Sequence, residues 1–393
     1  MIRVNSIRIV NVGPIKDIKL NFDNSFNIIC GQNGIGKTTI LNCLAQSFSA
    51  SNLTLKKKAG TENGFWDIDV NIDGTKYENN ISINAFHPND NNNLYKILFY
   101  ESSKEVIVFK THRDIDYIKL NSLSNDPIKN IGTFAQETLS GSLSDDLKNW
   151  FVNRYLFSAQ SGALDENQLK NFELAKQCFT FLNPKISFCK VSPNSFDILL
   201  NDNNDEIYFE YLSSGYKSCI ALLLGLIKEI EFRHKNPTKY IMNFDGIVFI
   251  DEIDLHLHPE WQATIYQILK HILPKAQIFT STHSPHIIQI ANPKEIIALT
   301  LNENLEIISN SLINSEFGCQ GWTIEEILTG VMGMTETRTE QYREIMEKFN
   351  SALENDDYSG AKLNFDVIER MLHPENALKK IFKIQLAGMR KND

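Results

Sequence analysis

The first thirty residues alternate apolar and polar positions, which is the spacing of a half-buried β-strand. The turn sequence Val12-Gly13-Pro14 interrupts the alternation, so this segment predicts a β-hairpin. The short run FNIIC (26–30) predicts a buried strand. It leads into a glycine-rich loop and then a predicted helix over residues 38–49.

The pattern changes along the middle of the chain. Residues 66–86 alternate on both sides of an Asp73-Gly74 turn, and residues 95–110 (YKILFYESSKEVIVFK) are interpreted as a second antiparallel pair. Apolar spacing becomes helical from 145 to 182. Strand-like runs return at ISFCKV, SFDILL and EIYFEY, with a predicted hairpin loop at the Asn/Asp run 201–205.

A helical pattern followed by an apolar strand occurs twice further on. SCIALLLGLIKEIEFRHK precedes GIVFIDEI, and PEWQATIYQILKHIL precedes AQIFTSTHS. This alternation predicts a parallel sheet covered by helices. After residue 314 the spacing is mainly helical. The sequence therefore predicts an α/β fold with antiparallel β elements, a mixed α/β insertion and a C-terminal helical segment.

Composition narrows the class of protein. The 393 residues carry 39 Lys and Arg against 48 Asp and Glu, a net charge of −9, which argues against a protein that coats nucleic acid. The longest apolar stretch, CIALLLGLI, is shorter than the roughly 20 residues of a membrane span. The N-terminus lacks a signal-peptide core, and the six cysteines form no C-x-x-C pair. We expect a reduced, cytoplasmic protein without a zinc site.

The glycine-rich loop GQNGIGKT (31–38) fits the pattern G-x-x-x-x-G-K-[ST] between a predicted strand and a predicted helix. In that setting, backbone N–H groups and the helix N-terminus bind phosphate. Lys37 would neutralise the β- and γ-phosphates, and the Thr38 hydroxyl would bind Mg²⁺. The alternative is a glycine-rich turn with a chance lysine. The predicted nucleotide-binding residues of the loop are Gly31, Asn33, Gly34, Gly36, Lys37, Thr38 and Thr39.

The strand IVFI ends in two carboxylates, Asp251 and Glu252. Asp251 would emerge at the carboxyl end of the sheet, where phosphate ligands bind in such folds, and would suit Mg²⁺. Glu252 would polarise an attacking water as general base. The alternative is an acidic turn after a core strand.

Two further segments carry candidate residues. His283 follows the strand AQIFT and could donate to the γ-phosphate or to the attacking water, although a lone histidine is often structural. LSSGYKS (212–218) lies at the start of a predicted helix, and with Ser213 and Gly215 it could form a second helix N-terminus that binds an anion. The alternative is ordinary N-capping of that helix. One nucleotide needs only one anion-binding helix N-terminus. A second one therefore suggests that two copies of the protein enclose ATP head to tail.

These motifs resemble the ABC-type ATPases of the SMC, RecF and OLD group, in which GQNGIGKTT, LSSGYKS, IVFIDEIDLHLHP and STHSP occur in the same order. The resemblance is strongest to the AAA family ATPase subunits (PtuA-like) of Septu and retron antiphage defence systems. It implies an ATPase core in residues 1–50 and 205–310, an inserted β and helical lobe in 51–204, and a helical segment in 311–393.

The resemblance also implies the site roles. Lys37, Glu252 and His283 would be catalytic, Thr38 and Asp251 would hold Mg²⁺, and ATP would be the nucleotide. Ser213 and Gly215 would reach the ATP of a partner chain, and residues 254–258 would form a D-loop near the dimer seam. The glutamine that the family places between its lobes remains unassigned between Gln136 and Gln160.

The chain also departs from some relatives. Residues 51–200 lack the heptads of SMC arms, and no D-x-D cluster of a Toprim nuclease follows His283. The apolar face in GWTIEEILTGVMGM (321–334) either packs on the ATPase core or binds a partner. A cluster of basic residues near the C-terminus either contacts nucleic acid or is a solvated tail. That cluster comprises Lys379, Lys380, Lys383, Arg390 and Lys391.

The leading hypothesis is an ATP-binding and hydrolysing switch that dimerises, or forms a higher homo-oligomer, around ATP. It would regulate a separate nuclease or toxin effector in antiphage defence, with no membrane partner and with DNA or RNA left open. The alternative is a RecF-like DNA-repair ATPase that clamps DNA when ATP is bound. The acidic total and the lack of a basic stripe count against that alternative.

Overall fold

The computed structural model describes residues 1–50, 52–92, 97–113, 117–142, 146–310 and 315–389. The chain divides into two compact units, Met1–Gly333 and Met334–Asp393, and each is described by itself. None of the helices in the described ranges is both long and apolar enough to cross a membrane.

The first unit contains three sheets and eight α-helices within the described residues. Its strands are β1 (Ile2–Val12), β2 (Ile15–Asn21), β3 (Phe26–Gly31), β4 (Gly64–Ile72), β5 (Thr75–Ile83), β6 (Val106–Phe109), β7 (Ile186–Val191), β8 (Ile198–Asp202), β9 (Asp205–Tyr208), β10 (Ile247–Ile250), β11 (Gln277–Ser281), β12 (Ile296–Leu301) and β13 (Ile307–Ser309). Its helices are α1 (Lys37–Gln46), α2 (Ile131–Ser140), α3 (Leu147–Ser158), α4 (Glu166–Phe181), α5 (Ser214–Arg233), α6 (Pro259–Ile272), α7 (Pro285–Ile290) and α8 (Ile324–Gly330). Short 3₁₀ turns lie at Tyr100–Glu105, Phe209–Tyr211, Ile241–Asn243 and Pro293–Glu295.

The central sheet has the strand order β13-β12-β3-β11-β10-β6. The five strands from β12 to β6 are parallel, and β13 is antiparallel to β12. Every residue of β3, β6, β10 and β11 is buried, as expected for parallel strands covered on both faces. The carboxyl ends of these four neighbouring strands therefore meet at one edge of the sheet.

Strand β6 differs from the prediction. Residues 95–110 were expected to form an antiparallel pair, but the chain makes a 3₁₀ turn at Tyr100–Glu105, and β6 pairs in parallel with β10. The first two residues of that run lie outside the described part of the chain. The physical reason for the difference is the run VIVF, whose four apolar side chains are all buried and so require cover on both faces.

The antiparallel elements confirm the other predicted hairpins. Of the predicted strand run EIYFEY, only the part up to Tyr208 is extended, and Phe209–Tyr211 form a 3₁₀ turn. β1 and β2 form the N-terminal hairpin in a four-stranded sheet of order β2-β1-β4-β5. Asp73 and Gly74 turn between β4 and β5 with φ of 50° and 86°. β7, β8 and β9 form a third sheet, with Asn203 and Asn204 turning between the last two at φ of 49° and 79°. The predicted α/β fold class with antiparallel elements and C-terminal helices is confirmed.

Helix α8 packs on the core of its own unit. Its buried residue Ile327, together with Val331 and Met332 just beyond the helix, shares a cluster with Cys30 of β3 and Ala298 of β12. Of the two alternatives for the apolar face of residues 321–334, the structure therefore supports packing within the chain.

The second unit consists of α9 (Glu340–Glu354), α10 (Tyr358–Met371) and α11 (Leu378–Met389). Their apolar faces meet around Phe349, Phe365 and Phe382. Of the basic cluster near the C-terminus, Lys383 pairs with Glu369 at 2.6 Å, and Arg390 and Lys391 lie outside the described residues.

Candidate functional site

The glycine-rich loop joins the end of β3 to the start of α1. Gly31 has φ of 139°, and a Cβ there would lie 2.5 Å from the carbonyl oxygen of Leu299, so only glycine fits. Gly34 and Gly36 also have positive φ, 74° and 96°. The predicted loop therefore has the tight backbone path that an N–H cradle for phosphate needs.

Lys37 lies beneath this loop. Its Nζ donates hydrogen bonds of 2.9 Å to the carbonyl oxygens of Gly31 and of Gln32, and its side chain is only 5% exposed. Burial lowers the pKa of Lys37. Among the described residues no carboxylate lies within ion-pair distance of Nζ, so this charge remains available to an anion in the loop.

An open cavity of about 660 Å³ lies against the loop. It brings together most of the predicted residues from three separate parts of the chain. Its lining residues are Pro14, Asn33, Gly34, Gly36, Lys37, Thr38, Thr39, Glu252 and His283. Gly31 ends β3 and Asp251 is buried beside Thr38, whereas Ser213 and Gly215 do not line the cavity.

Asp251 contacts two hydroxyl groups. The Thr38 Oγ1 donates to its Oδ1 at 3.2 Å, and the Ser281 Oγ donates to the same oxygen at 2.6 Å. With Mg–O bonds of about 2.0–2.1 Å, adjacent ligands of an octahedral Mg²⁺ lie about 3 Å apart. The oxygens of Thr38 and Asp251 therefore fit two neighbouring positions around one such ion. The hydrogen bond from Ser281 would orient the Asp251 carboxylate.

Glu252 has an unusual backbone conformation, with φ of 48°. Its N–H donates to the Ser281 Oγ at 2.7 Å. Its carbonyl accepts from the Leu255 N–H at 3.0 Å and from the Arg113 guanidinium. The peptide groups on both sides of this residue are thus held, and Glu252 lines the cavity.

His283 is positioned by a carboxylate from the segment after β10. Asp254 accepts hydrogen bonds from the His283 N–H at 3.1 Å and from the Thr282 Oγ1 at 2.6 Å. Burial, and then the nearby charge of Lys37, lower the pKa of His283. The imidazole therefore favours its neutral form beside the cavity.

The start of α5 makes contacts within its own chain. Ser213 is the N-cap and accepts from the Tyr216 N–H at 3.3 Å, which matches the predicted capping role. Gly215 packs directly on the carbonyl oxygen of His256, and a Cβ would collide with that oxygen. The signature-like loop and the D-loop segment are therefore in van der Waals contact.

Three residues at this site were not predicted from the motifs. Ser281 and Thr282 lie in the STHS segment, so their hydroxyls were visible in the sequence. Arg113 could not be assigned to the site from the sequence, because the segment that forms β6 was interpreted as part of a hairpin. Recognising VIVF as a doubly buried strand would have placed residues 110–113 at the carboxyl edge of the sheet. Neither Gln136 nor Gln160 lines the cavity.

The chain is 41% identical to the Septu protein PtuA of Bacillus thuringiensis over 398 residues, which covers 98% of each chain. The chain belongs to the Septu PtuA family. This membership confirms the resemblance to the ATPases of Septu antiphage defence. A family model described as "AAA domain, putative AbiEii toxin, Type IV TA system" matches residues 89–289.

Other relatives of this PtuA family member match over part of their length or at lower identity. The "Retron Vc95 probable ATPase" of Vibrio cholerae is 40% identical over 103 residues, 25% of this chain and 19% of that protein. The crystal structure of the SMC head bound to the C-winged helix domain of ScpA covers 79% of this chain and 98% of its own, with 14% identity and a TM-score of 0.45. Family membership implies that this PtuA-type P-loop ATPase binds nucleotide.

Proposed function

We propose that this PtuA family protein binds Mg²⁺ and ATP in the 660 Å³ cavity and hydrolyses the ATP as a switch in antiphage defence. One observation carries the proposal. Lys37, Thr38, Glu252 and His283 line the same cavity although they come from three distant parts of the chain. Phosphoryl transfer to water requires a loop that binds phosphate, a hydroxyl that can ligate Mg²⁺, a carboxylate and a histidine, and this cavity combines all four.

Each residue has a proposed role. Loop N–H groups and Lys37 bind the β- and γ-phosphates, and Thr38 and Asp251 hold Mg²⁺, which neutralises charge on those phosphates. Glu252 accepts a proton from water as the water oxygen bonds to the γ-phosphorus and the bond to the bridging oxygen of ADP breaks. ADP and inorganic phosphate result. His283, in its neutral form, donates to the γ-phosphate or to the attacking water.

The assembly is proposed from the residues outside the cavity. Ser213 and Gly215 open the long helix α5, which gives the protein a second helix N-terminus suited to phosphate. We place them against the ATP of a second copy, so that two chains close around two nucleotides. ATP would favour the closed dimer and hydrolysis would release it. This cycle would control a separate nuclease or toxin effector.

The variant Glu252→Gln tests the hydrolytic part of the proposal. Because the amide cannot accept the proton of water, phosphate release should fall about 100-fold or more, with ATP binding retained. Light scattering with ATP should show a larger share of dimer than in the parent. Glu173→Gln, on the surface of α4 and 62% exposed, is the matched control and should behave as the parent.

Two results would count against the proposal. Unchanged phosphate release by the Glu252→Gln protein would remove Glu252 as general base. An oligomer distribution that does not respond to ATP in either protein would remove the dimer switch, while leaving nucleotide binding to be judged separately.

A further inference from the structure

Arg113 lies behind the carboxylates of the site, four residues after the end of β6. Its side chain is 5% exposed. The Nη2 group donates to the carbonyl oxygen of Asp251 at 3.0 Å and to the carbonyl oxygen of Glu252. One guanidinium thus binds two consecutive carbonyls at the point where β10 ends.

Within the described ranges, the charge of this arginine has no direct counterion. No carboxylate of the described residues lies within 4 Å of the guanidinium, and its Nε is buried without a hydrogen-bond partner among those residues. Burying a cation without a paired anion is unfavourable, so the two carbonyl contacts matter for the placement of this guanidinium. At longer range its charge interacts with the Cys219 thiol and with the carboxylates of Asp251, Glu252 and Asp254.

The backbone that Arg113 contacts is strained. Glu252 is a non-glycine residue with φ of 48°, a conformation that persists only where the surroundings impose it. Ser281 holds the N–H of Glu252, and Arg113 holds its carbonyl. With the peptide groups on both sides fixed, the Cα–Cβ bond of Glu252 has one direction, and Glu252 lines the cavity together with Lys37 and His283.

We infer that Arg113 is a positioning residue for ATP hydrolysis, which holds the main chain of Glu252 so that its carboxylate faces the attacking water. The inference rests on the proposed function. It assigns to Arg113 an effect on turnover rather than on nucleotide affinity, because Arg113 does not line the cavity.

The test compares Arg113→Met and Arg113→Lys with the parent. Methionine keeps an apolar stem of similar length but loses both hydrogen bonds to the carbonyls. Lysine keeps the positive charge but lacks the planar guanidinium group with its several N–H donors. We expect kcat to fall about 10- to 100-fold for methionine and by less for lysine, with the ATP dissociation constant from calorimetry within about 2-fold of the parent. Arg8→Met removes an arginine that is 51% exposed and paired with Asp17, and is the control.

A double-mutant cycle separates positioning from a general structural effect. If Arg113 acts through Glu252, adding Arg113→Met to Glu252→Gln should lower single-turnover hydrolysis by less than about 2-fold further. The inference would be overturned if Arg113→Met lowered the hydrolysis rate of the Glu252→Gln protein by the same factor as it lowers that of the parent. A parental kcat for Arg113→Met alone would also overturn it. If the methionine variant does not fold, the lysine variant decides by the same two measurements.

The failure of the proposed function gives a different result. In that case Glu252→Gln alone would hydrolyse ATP as the parent does. If Glu252→Gln is impaired and both Arg113 variants are not, only the inference about Arg113 fails.

Discussion

The side-chain amide of Gln32 donates a 3.0 Å hydrogen bond to the carbonyl oxygen of Gly333. Gln32 lies in the glycine-rich loop, and Gly333 is the last residue of the first unit. Below this bond, Cys30 packs with Ile327 and Val331 of the segment that contains α8. The end of the first unit therefore forms part of the support of the proposed phosphate cradle, although 301 residues separate the two partners.

We expect Gly333→Ala to disturb this loop. Gly333 has φ of 67°, and a Cβ there would collide with the side chain of Gln32. The unfolding temperature should fall by about 2–4 °C, and ATP affinity should fall several-fold as the loop shifts. Gly321→Ala is the control, because a Cβ at Gly321 meets nothing within 4 Å. Equal melting curves and ATP affinities for the two variants would refute this contact as a support of the loop.

Gly215→Ala should destabilise the chain even without nucleotide. The added Cβ would overlap the carbonyl of His256, which is backbone and cannot rotate away. The expected loss in the free energy of unfolding is about 1–3 kcal/mol, measured by denaturant titration of the nucleotide-free protein. Retained stability with a defect seen only when ATP is present would instead assign Gly215 solely to the partner's nucleotide.

Thr38→Val should raise the Mg²⁺ concentration needed for half-maximal ATP hydrolysis about 10-fold or more. Valine keeps the shape of threonine but lacks the Oγ1 that lies 3.2 Å from the Asp251 carboxylate. Thr180→Val, which removes a hydroxyl bonded to the Gln177 carbonyl on α4, should leave the Mg²⁺ titration unchanged. An identical Mg²⁺ requirement in the parent and Thr38→Val would remove Thr38 as a ligand.

His283 should make the free energy of unfolding depend on pH. Its pKa is lowered in the folded chain by burial and by Lys37, against the opposing charges of Asp254, Glu252 and Asp251. The unfolded chain therefore binds more protons just below the ordinary histidine pKa of about 6.5, so stability falls as the pH decreases through that value. This contribution is fully present above about pH 6.5 and is lost towards the lower folded pKa.

Denaturant titrations at about pH 7.5 and about pH 6 test this dependence. The decrease in unfolding free energy should be smaller in His283→Asn than in the parent. His271→Asn, at an exposed position of α6, should keep the parental decrease. A decrease of the same size in all three proteins would show that His283 does not contribute.

The sequence predicted the local parts of the site well, because each is set by neighbouring residues. The loop from Gly31 to Thr38 and the strand before Asp251 have short-range patterns that determine their shape. The long-range contacts were not predictable in this way. Arg113 reaches Glu252 only because β6 pairs in parallel with β10, and the alternation of apolar residues does not specify the partner of a strand.

The contacts of the D-loop segment and of α8 are also long-range, so the local sequence pattern did not predict them. Asp254 was assigned to a dimer seam by resemblance, and its hydrogen bonds to Thr282 and His283 depend on the approach of β10 to β11. The apolar face of residues 321–334 was visible in the sequence, but its burial against Cys30 follows from the packing of the whole unit.

Calorimetric titration of Mg²⁺ and ATP into the parent and Lys37→Ala tests most directly the claim that the cavity beside Lys37 binds ATP. Lys185→Ala, at an exposed position before β7, is the control. We expect one ATP per chain in the parent and in the control, and a loss of affinity of about 100-fold or more in Lys37→Ala, because a charged hydrogen bond to phosphate is lost. Equal affinity of Lys37→Ala and the parent for ATP would contradict the claim.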